Sequence, residues 1–398
     1  MKVFVVILTM FSYEIRLVIF SLDFTLLRLF IVFSFLRILI RNEYYIKKLI
    51  PLDYVLLFYF LSSGILYSLL WSFNTSSIVF QLGRLLDLIG SYYILRNYLT
   101  SIEDYILIIK YFAIVSVVIA PLFVFEYITG LNIFGLLING NLTVSEIREN
   151  RVRAKGAFPH PILAGSFWAV LFPVILSLKN YLRKRKEKAL INISIVSILI
   201  IVFTCSSTTP IIALAAGFFF YLLYYLRNEY KRIKYSIIFL LFSLQLYMDN
   251  PIWYLLMKID ISGGSTGFFR YLLFDRFVSN WKEWLFVGIR DTYHWGESYN
   301  LPSIGLRDLT NRFVYEGVNG GLIRLIMFTV IIIMAFLYCE SLIKVKDKEK
   351  SAVMWGIFGS LVVNFVNFWG VNYFGQVEII LWFTILAIIT SYAQFRDI

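Results

Sequence analysis

The residues most able to do chemistry in this 398-residue chain lie in Arg151–Gly165, RVRAKGAFPHPILAG, where three cations and a histidine stand between long apolar runs. With an extended backbone, Arg151, Arg153 and Lys155 alternate onto one side. Such a row suits a phosphate or pyrophosphate, because guanidinium offers a planar fork of donors and lysine a point charge. Gly156 lets the backbone come close to a ligand. Pro159 and Pro161 constrain the chain around His160, at the mouth of the next apolar run. The plainer alternative is a basic patch on lipid head groups, with His160 capping a helix.

A second polar stretch, about 250–320, carries Arg270, Arg276, Arg290, Arg307 and Arg312 as candidate anion partners. Asp275, Asp291, Asp308 and Glu316 are candidate bases or arginine positioners, and His294 is the other histidine. For each of these a structural salt bridge is the plainer role. No phosphate-binding glycine loop and no metal-spaced set of His and Cys is present, so neither metal nor cofactor is expected. Cys205 and Cys339 are expected at opposite faces and cannot pair.

The elements that must position these groups follow from composition. The chain is 60% hydrophobic and 16% charged, where soluble domains carry about 25% charged residues. Apolar stretches recur along the whole length, which defines an all-α polytopic membrane protein, a single integral membrane domain over 1–398 with about twelve transmembrane helices of about 20 residues each. The lipid bilayer is one partner. The net charge of +12 sits mainly in short loops between apolar runs. That placement orients a membrane protein and argues against nucleic acid.

The first helix is expected over Val3–Ser21 and the second over Phe24–Ile40, and the eighth and ninth flank RNEYKRIK. Basic loops near Arg41, Arg183, Arg227 and Lys348 then share the cytoplasmic side with both termini. The segments at about 128–161 and 250–320 fall outside. Within them Gly130–Leu137 suggests an interfacial piece, Val144–Arg153 a short helix, and Phe268–Val287 an amphipathic helix along the membrane. Among charges inside spans, Arg84 and Asp87 are spaced to pair on one helix face. Arg324 lies near a span end and can snorkel.

The order R-x-K-G-x-F-x-H-P-x-x-x-G before a span, a serine-rich span junction (CSSTTP), a second outer segment with an arginine, a tryptophan-rich helix and a "VGI" turn, and a closing E-G-x-x-G resembles the O-antigen polymerase and O-antigen ligase superfamily. By motif the resemblance covers about 151–322, and by topology the whole chain. It implies transfer of sugar chains from undecaprenyl pyrophosphate carriers at the periplasmic face of a bacterial inner membrane. Polymerases place the growing glycan on the next lipid-linked repeat unit, whereas ligases place it on lipid A–core. A chain-length-regulating co-polymerase would be a further partner. By position, Arg153 resembles the arginine of the first motif, His160 its HP histidine, and Arg270 the arginine before the amphipathic helix. Glu316, Gly317 and Gly320 resemble the end of the second segment.

The ligase histidine-asparagine pair is absent; Leu306, Arg307 and Asp308 occupy that window. CSSTTP stands where a cation-bearing junction is expected. Polymerases carry two outer arginines each followed at a set spacing by glycine, which Arg153 with Gly165 and Arg307 with Gly317 approximate. The resemblance therefore leans to polymerase. It implies metal-independent glycosyl transfer, with Arg153, Lys155, Arg270 and one of Arg307 or Arg312 on the pyrophosphate, and Arg151, Arg276 and Arg290 as further contacts. The base is one of Glu316, Asp308, Asp291 or His160. A lipid-linked oligosaccharide transporter would instead need polar residues concentrated along a central path.

Overall fold

The structure is a computed structural model that describes residues 15–19, 22–46, 48–258, 266–299, 308–343 and 347–395, with Val6, Thr9, Leu306 and Val345. It is predominantly helical. Among the described residues, eight helical runs are long and apolar enough to cross a membrane.

Their boundaries follow local chemistry. Asn74 caps the run Thr75–Tyr98, its side chain accepting from the Ser77 amide at 2.7 Å. Ser101 and Asp104 form a reciprocal capping box at the start of Ile102–Thr129, which ends on Gly130 in the left-handed region. Pro161 opens helix Pro161–Tyr181 at the one position where its missing N–H costs nothing.

That helix and Lys348–Asn367 form the centre of the bundle. A Cβ on Gly356 would overlap the Ser177 hydroxyl and one on Gly359 would lie 2.7 Å from Pro173, so these glycines permit the close approach. Ser360 adds a hydrogen bond to the Val170 carbonyl at 2.7 Å. Where apolar attraction between helices is weak, small residues and such bonds hold helices together.

The basic connections gather at one end of this bundle. Lys110 pairs with Glu187, Arg183 with Glu349, Lys234 with Glu340 and Lys350 with Glu103 there. The segments near 130–160, 266–299 and 308–320 lie at the opposite end. The run Thr208–Tyr247 folds back on itself at a 3₁₀ stretch, Leu223–Glu229. Phe220 and Tyr230 rings meet at 6.4 Å there, and both rings pack on Phe358. Helix Tyr230–Tyr247 then returns to the far end, where Trp253 donates to Asp275 and Phe274 packs on Trp369. The turn falls between the segments expected as the eighth and ninth spans. RNEYKRIK, however, is helical rather than a loop.

Three expectations need correction. A helix over Val3–Ser21 does not extend through Arg16: Arg16–Ile19 and Leu22–Thr25 form an antiparallel hairpin closed by an Arg16–Asp23 ion pair at 2.8 Å. Most of the chain before residue 15 lies outside the described residues. Val144–Arg153 is not a helix, and Phe268–Val287 is not continuous. Helix Thr266–Ser279 stops at Asn280, and one further turn, Trp281–Trp284, folds back so that the Trp284 and Phe277 rings stack at 4.1 Å.

Candidate functional site

The focal segment is organised by Glu126, a buried carboxylate one turn from the end of helix Ile102–Thr129. One of its oxygens accepts from the Ser145 hydroxyl at 2.8 Å and the Lys155 amide at 3.0 Å; the other accepts from the Gly156 amide at 2.9 Å. Gly156 has φ +57°, and a Cβ there would lie 2.6 Å from Phe123. Its freedom therefore serves a close packing contact and not the approach of a ligand.

Glu146–Arg148 and Arg151–Arg153 pair as a two-stranded hairpin, with Glu149 and Asn150 at positive φ in the turn. The register sets Glu146 opposite Arg153, and the two side chains form an ion pair at 2.7 Å. Such a cross-strand pair requires strands and has no equivalent in the expected helix. The Ser206 hydroxyl donates to the Val152 carbonyl and the Ala154 amide to the Thr204 carbonyl. The serine-rich junction thus anchors the hairpin.

Hairpin, junction and second polar stretch together line a cavity of about 1040 Å³. Arg148, Arg151, Arg153 and Arg270 line it, with Glu146, Glu149 and Asp308 as its acidic groups. Ser206, Ser207 and Thr208 supply hydroxyls, and Phe203, Ile211, Phe269 and Phe374 supply apolar wall. His160 sits at the rim as the N-cap of helix Pro161–Tyr181, its Nδ1 accepting from the Ile162 amide at 3.2 Å and its Nε2 3.5 Å from Glu146. Burial and then the Arg153 charge lower the His160 pKa, outweighing the carboxylates of Glu146 and Asp308. The neutral imidazole accepting at Nδ1 carries its proton on Nε2.

Beneath the cavity lies a second set of charges. Glu316 is fully buried and shared by Arg312, at 2.6 Å, and Arg324. Its other partner is the Tyr59 hydroxyl at 2.9 Å. Arg312 also reaches Glu378, the Tyr373 carbonyl and Asn372. Burial alone would raise the Glu316 pKa, but the guanidiniums of Arg324 and Arg312 hold it below the usual carboxylate range. Arg84 reaches the cluster from helix Thr75–Leu85, bonding to the Tyr315 hydroxyl at 3.0 Å and to Glu378 at 3.3 Å. Tyr315 and Asn372 belong to both layers, since they also line the cavity.

The expected Arg84–Asp87 pair does not form. Asp87 lies in a π-helical turn, Leu86–Gly90, whose wider winding changes the direction of the side chains. It pairs with Arg28 at 2.9 Å, leaving Arg84 for Glu378. Arg324 does not snorkel but closes on Glu316 inside the protein.

Of the sequence candidates, Arg151, Arg153, His160, Arg270 and Asp308 converge on the cavity. Arg312 and Glu316 lie below it. Both Glu316 oxygens are already engaged, so it is not placed to act as a base on a molecule in the cavity. Lys155 and Arg276 are off the cavity wall. Arg290 braces another corner, donating to the Leu70 carbonyl and the Ser72 hydroxyl over the Trp71 ring. Arg307 lies outside the described residues. Gly165 and Gly317 serve packing: added Cβ atoms would meet Pro210 at 2.8 Å and Phe277 at 2.6 Å.

Sequence reasoning passed over Arg148, Tyr315 and Glu378. Glu126 and Arg84 stood out only as charges inside apolar runs, which is by itself a functional hint. Compared with models of known protein families and with curated proteins, the sequence matches none.

Proposed function

We propose that this protein is a surface-polysaccharide polymerase that transfers a growing glycan from a polyprenyl pyrophosphate carrier to the next lipid-linked unit. The carrying observation is the convergence of Arg148, Arg151, Arg153 and Arg270 on one large cavity at the end of the bundle opposite the basic connections. By the positive-inside rule that end is extracytoplasmic. It would be the periplasmic face of a bacterial inner membrane, with about twelve helical crossings of about 20 residues each. The cavity is large enough for a sugar diphosphate, since ligand pockets run about 300–1,000 Å³. Buried Arg153 supports the reading further: its Nε has no hydrogen-bond acceptor among the described residues.

In the proposed reaction the acceptor hydroxyl oxygen attacks the anomeric carbon of the donor. The bond from that carbon to the pyrophosphate oxygen breaks, and its electron pair leaves with the pyrophosphate. Arginines fixed in advance stabilise this growing charge without reorganising. Asp308 is the preferred base, because it is exposed, lines the cavity and lies near enough to His160 to act on its charge. His160 holds one nitrogen in its cap bond and turns the other toward Glu146, so it orients the hairpin. The apolar walls at Phe203, Ile211 and Phe269 would receive the first prenyl units.

Transport is disfavoured by the space around the buried charges. The pocket reached by Arg84, Arg324 and Tyr59 holds only about 10 Å³, too little for a sugar. Deleting the gene in its host and complementing with wild type or Arg153→Ala separates the remaining readings. Core bearing a single repeat unit, restored to a ladder only by wild type, is the expected result. Naked core with polymer left on its carrier would identify a ligase, and an unchanged glycan profile would sink both.

A further inference from the structure

We propose that Tyr315 is a substrate-binding residue on the cavity floor, donating its hydroxyl proton as a hydrogen bond to the phosphate while Arg84 holds the same oxygen from behind. This rests on the phosphate reading above. The argument begins with donor and acceptor counting. A phenol oxygen can accept and also donate. Here the Arg84 guanidinium donates to that oxygen at 3.0 Å. Among the described residues the Tyr315 hydroxyl gives its own proton to no protein acceptor, although Tyr315 lines the cavity.

The surroundings make it a strong donor. Guanidinium carbons of Arg312 and Arg324 each lie 5.4 Å from the centroid of its ring. Burial would raise the phenol's pKa, but Arg84, Arg324 and Arg312 together bring it below its ordinary value. A hydroxyl depleted of electron density by three cations gives a shorter and stronger bond to an anion. It also explains a feature the salt bridges alone leave idle. Arg84, Arg312 and Arg324 outnumber Glu316 and Glu378 in the buried cluster, and Tyr315 is the group through which that excess charge meets the cavity. The phosphate would then be held from the side by the hairpin arginines and from below by a phenol.

The test uses the full-length protein in nanodiscs with 3-fluorotyrosine placed at position 315, titrated with inorganic pyrophosphate and followed by ¹⁹F NMR. Binding is measured in parallel by calorimetry for wild type and Tyr315→Phe. The expected result is a saturable shift of the 315 resonance, not reproduced by chloride at equal ionic strength. Affinity in Tyr315→Phe should fall roughly 10-fold or more, as for loss of a hydrogen bond to a charged group. Wild-type binding with a silent 315 resonance and unchanged Tyr315→Phe affinity overturns this inference and leaves the transferase reading standing. No binding of pyrophosphate by wild type overturns both. The labelled protein keeps the tyrosine, so the answer does not depend on the phenylalanine variant folding.

Discussion

Arg324 reaches back across the corner between Arg312–Val318 and Gly321–Leu342 to hold Glu316, eight residues earlier in the chain. Both side chains are buried, and Arg312 takes the carboxylate's other oxygen. This one acceptor therefore fixes how the second polar stretch returns to the bundle. It also sets the height of Tyr315 on the cavity floor, because Tyr315 shares the short helix with Arg312 and Glu316.

Removing Glu316 should be a folding lesion first. Glu316→Ala leaves Arg312 and Arg324 buried with one carboxylate fewer, and breaking such a buried pair typically costs about 3–5 kcal/mol. Thermal unfolding in detergent should show a large loss of stability together with reduced membrane abundance. A variant that keeps its melting temperature but loses transfer would contradict the structural role and return Glu316 to the list of reacting groups.

Arg153 should behave differently from Arg290. Arg153→Ala removes a cavity donor and should cost about 10²–10³ in transfer rate, the usual loss for one stabilising donor. Arg290→Ala disturbs only a corner outside the cavity and should leave the rate nearly intact. Both are read from transfer to a lipid-linked acceptor in vitro. Equal losses in the two variants would mean that the cavity is not where the chemistry happens.

Protonation of His160 should work against the fold. Its folded pKa is lowered by burial and by Arg153, so the unfolded chain takes up this proton first as pH falls. The associated stability is fully present above the ordinary imidazole value of about 6.5 and is lost as pH falls through it toward the lower folded value. Melting temperatures across that range should decline more steeply for wild type than for His160→Gln. Parallel curves would show that His160 does not titrate in this window.

Gly156→Ala should loosen the hairpin without touching a charge. The new Cβ would overlap Phe123 and force a residue with a side chain to hold φ +57°. Overpacking and left-handed strain together typically cost about 1–3 kcal/mol. Phe123→Leu in the same chain should recover part of that loss, measured again by melting temperature. A wild-type melting temperature in the single variant would mean that the contact yields freely.

The amino-acid order by itself determined where most of the long helices lie. Apolar runs such as Pro51–Leu70 and Pro161–Tyr181 end at prolines, caps and charges, and these signals act locally. It also singled out Arg151, Arg153, His160, Arg270 and Asp308, because polar groups stand out against an apolar background. Tertiary structure decided their partners. Arg153 faces Glu146 only once a hairpin brings position 146 opposite 153, a register invisible in charge spacing. Arg84 meets Glu378 across 294 residues, while its near neighbour Asp87 turns to Arg28. A buried charge takes whatever opposite charge the packing brings within reach, and that choice is made between helices distant in sequence. The same physics drew Glu316 and Arg312 down into the bundle and left Tyr315 at the floor of the cavity.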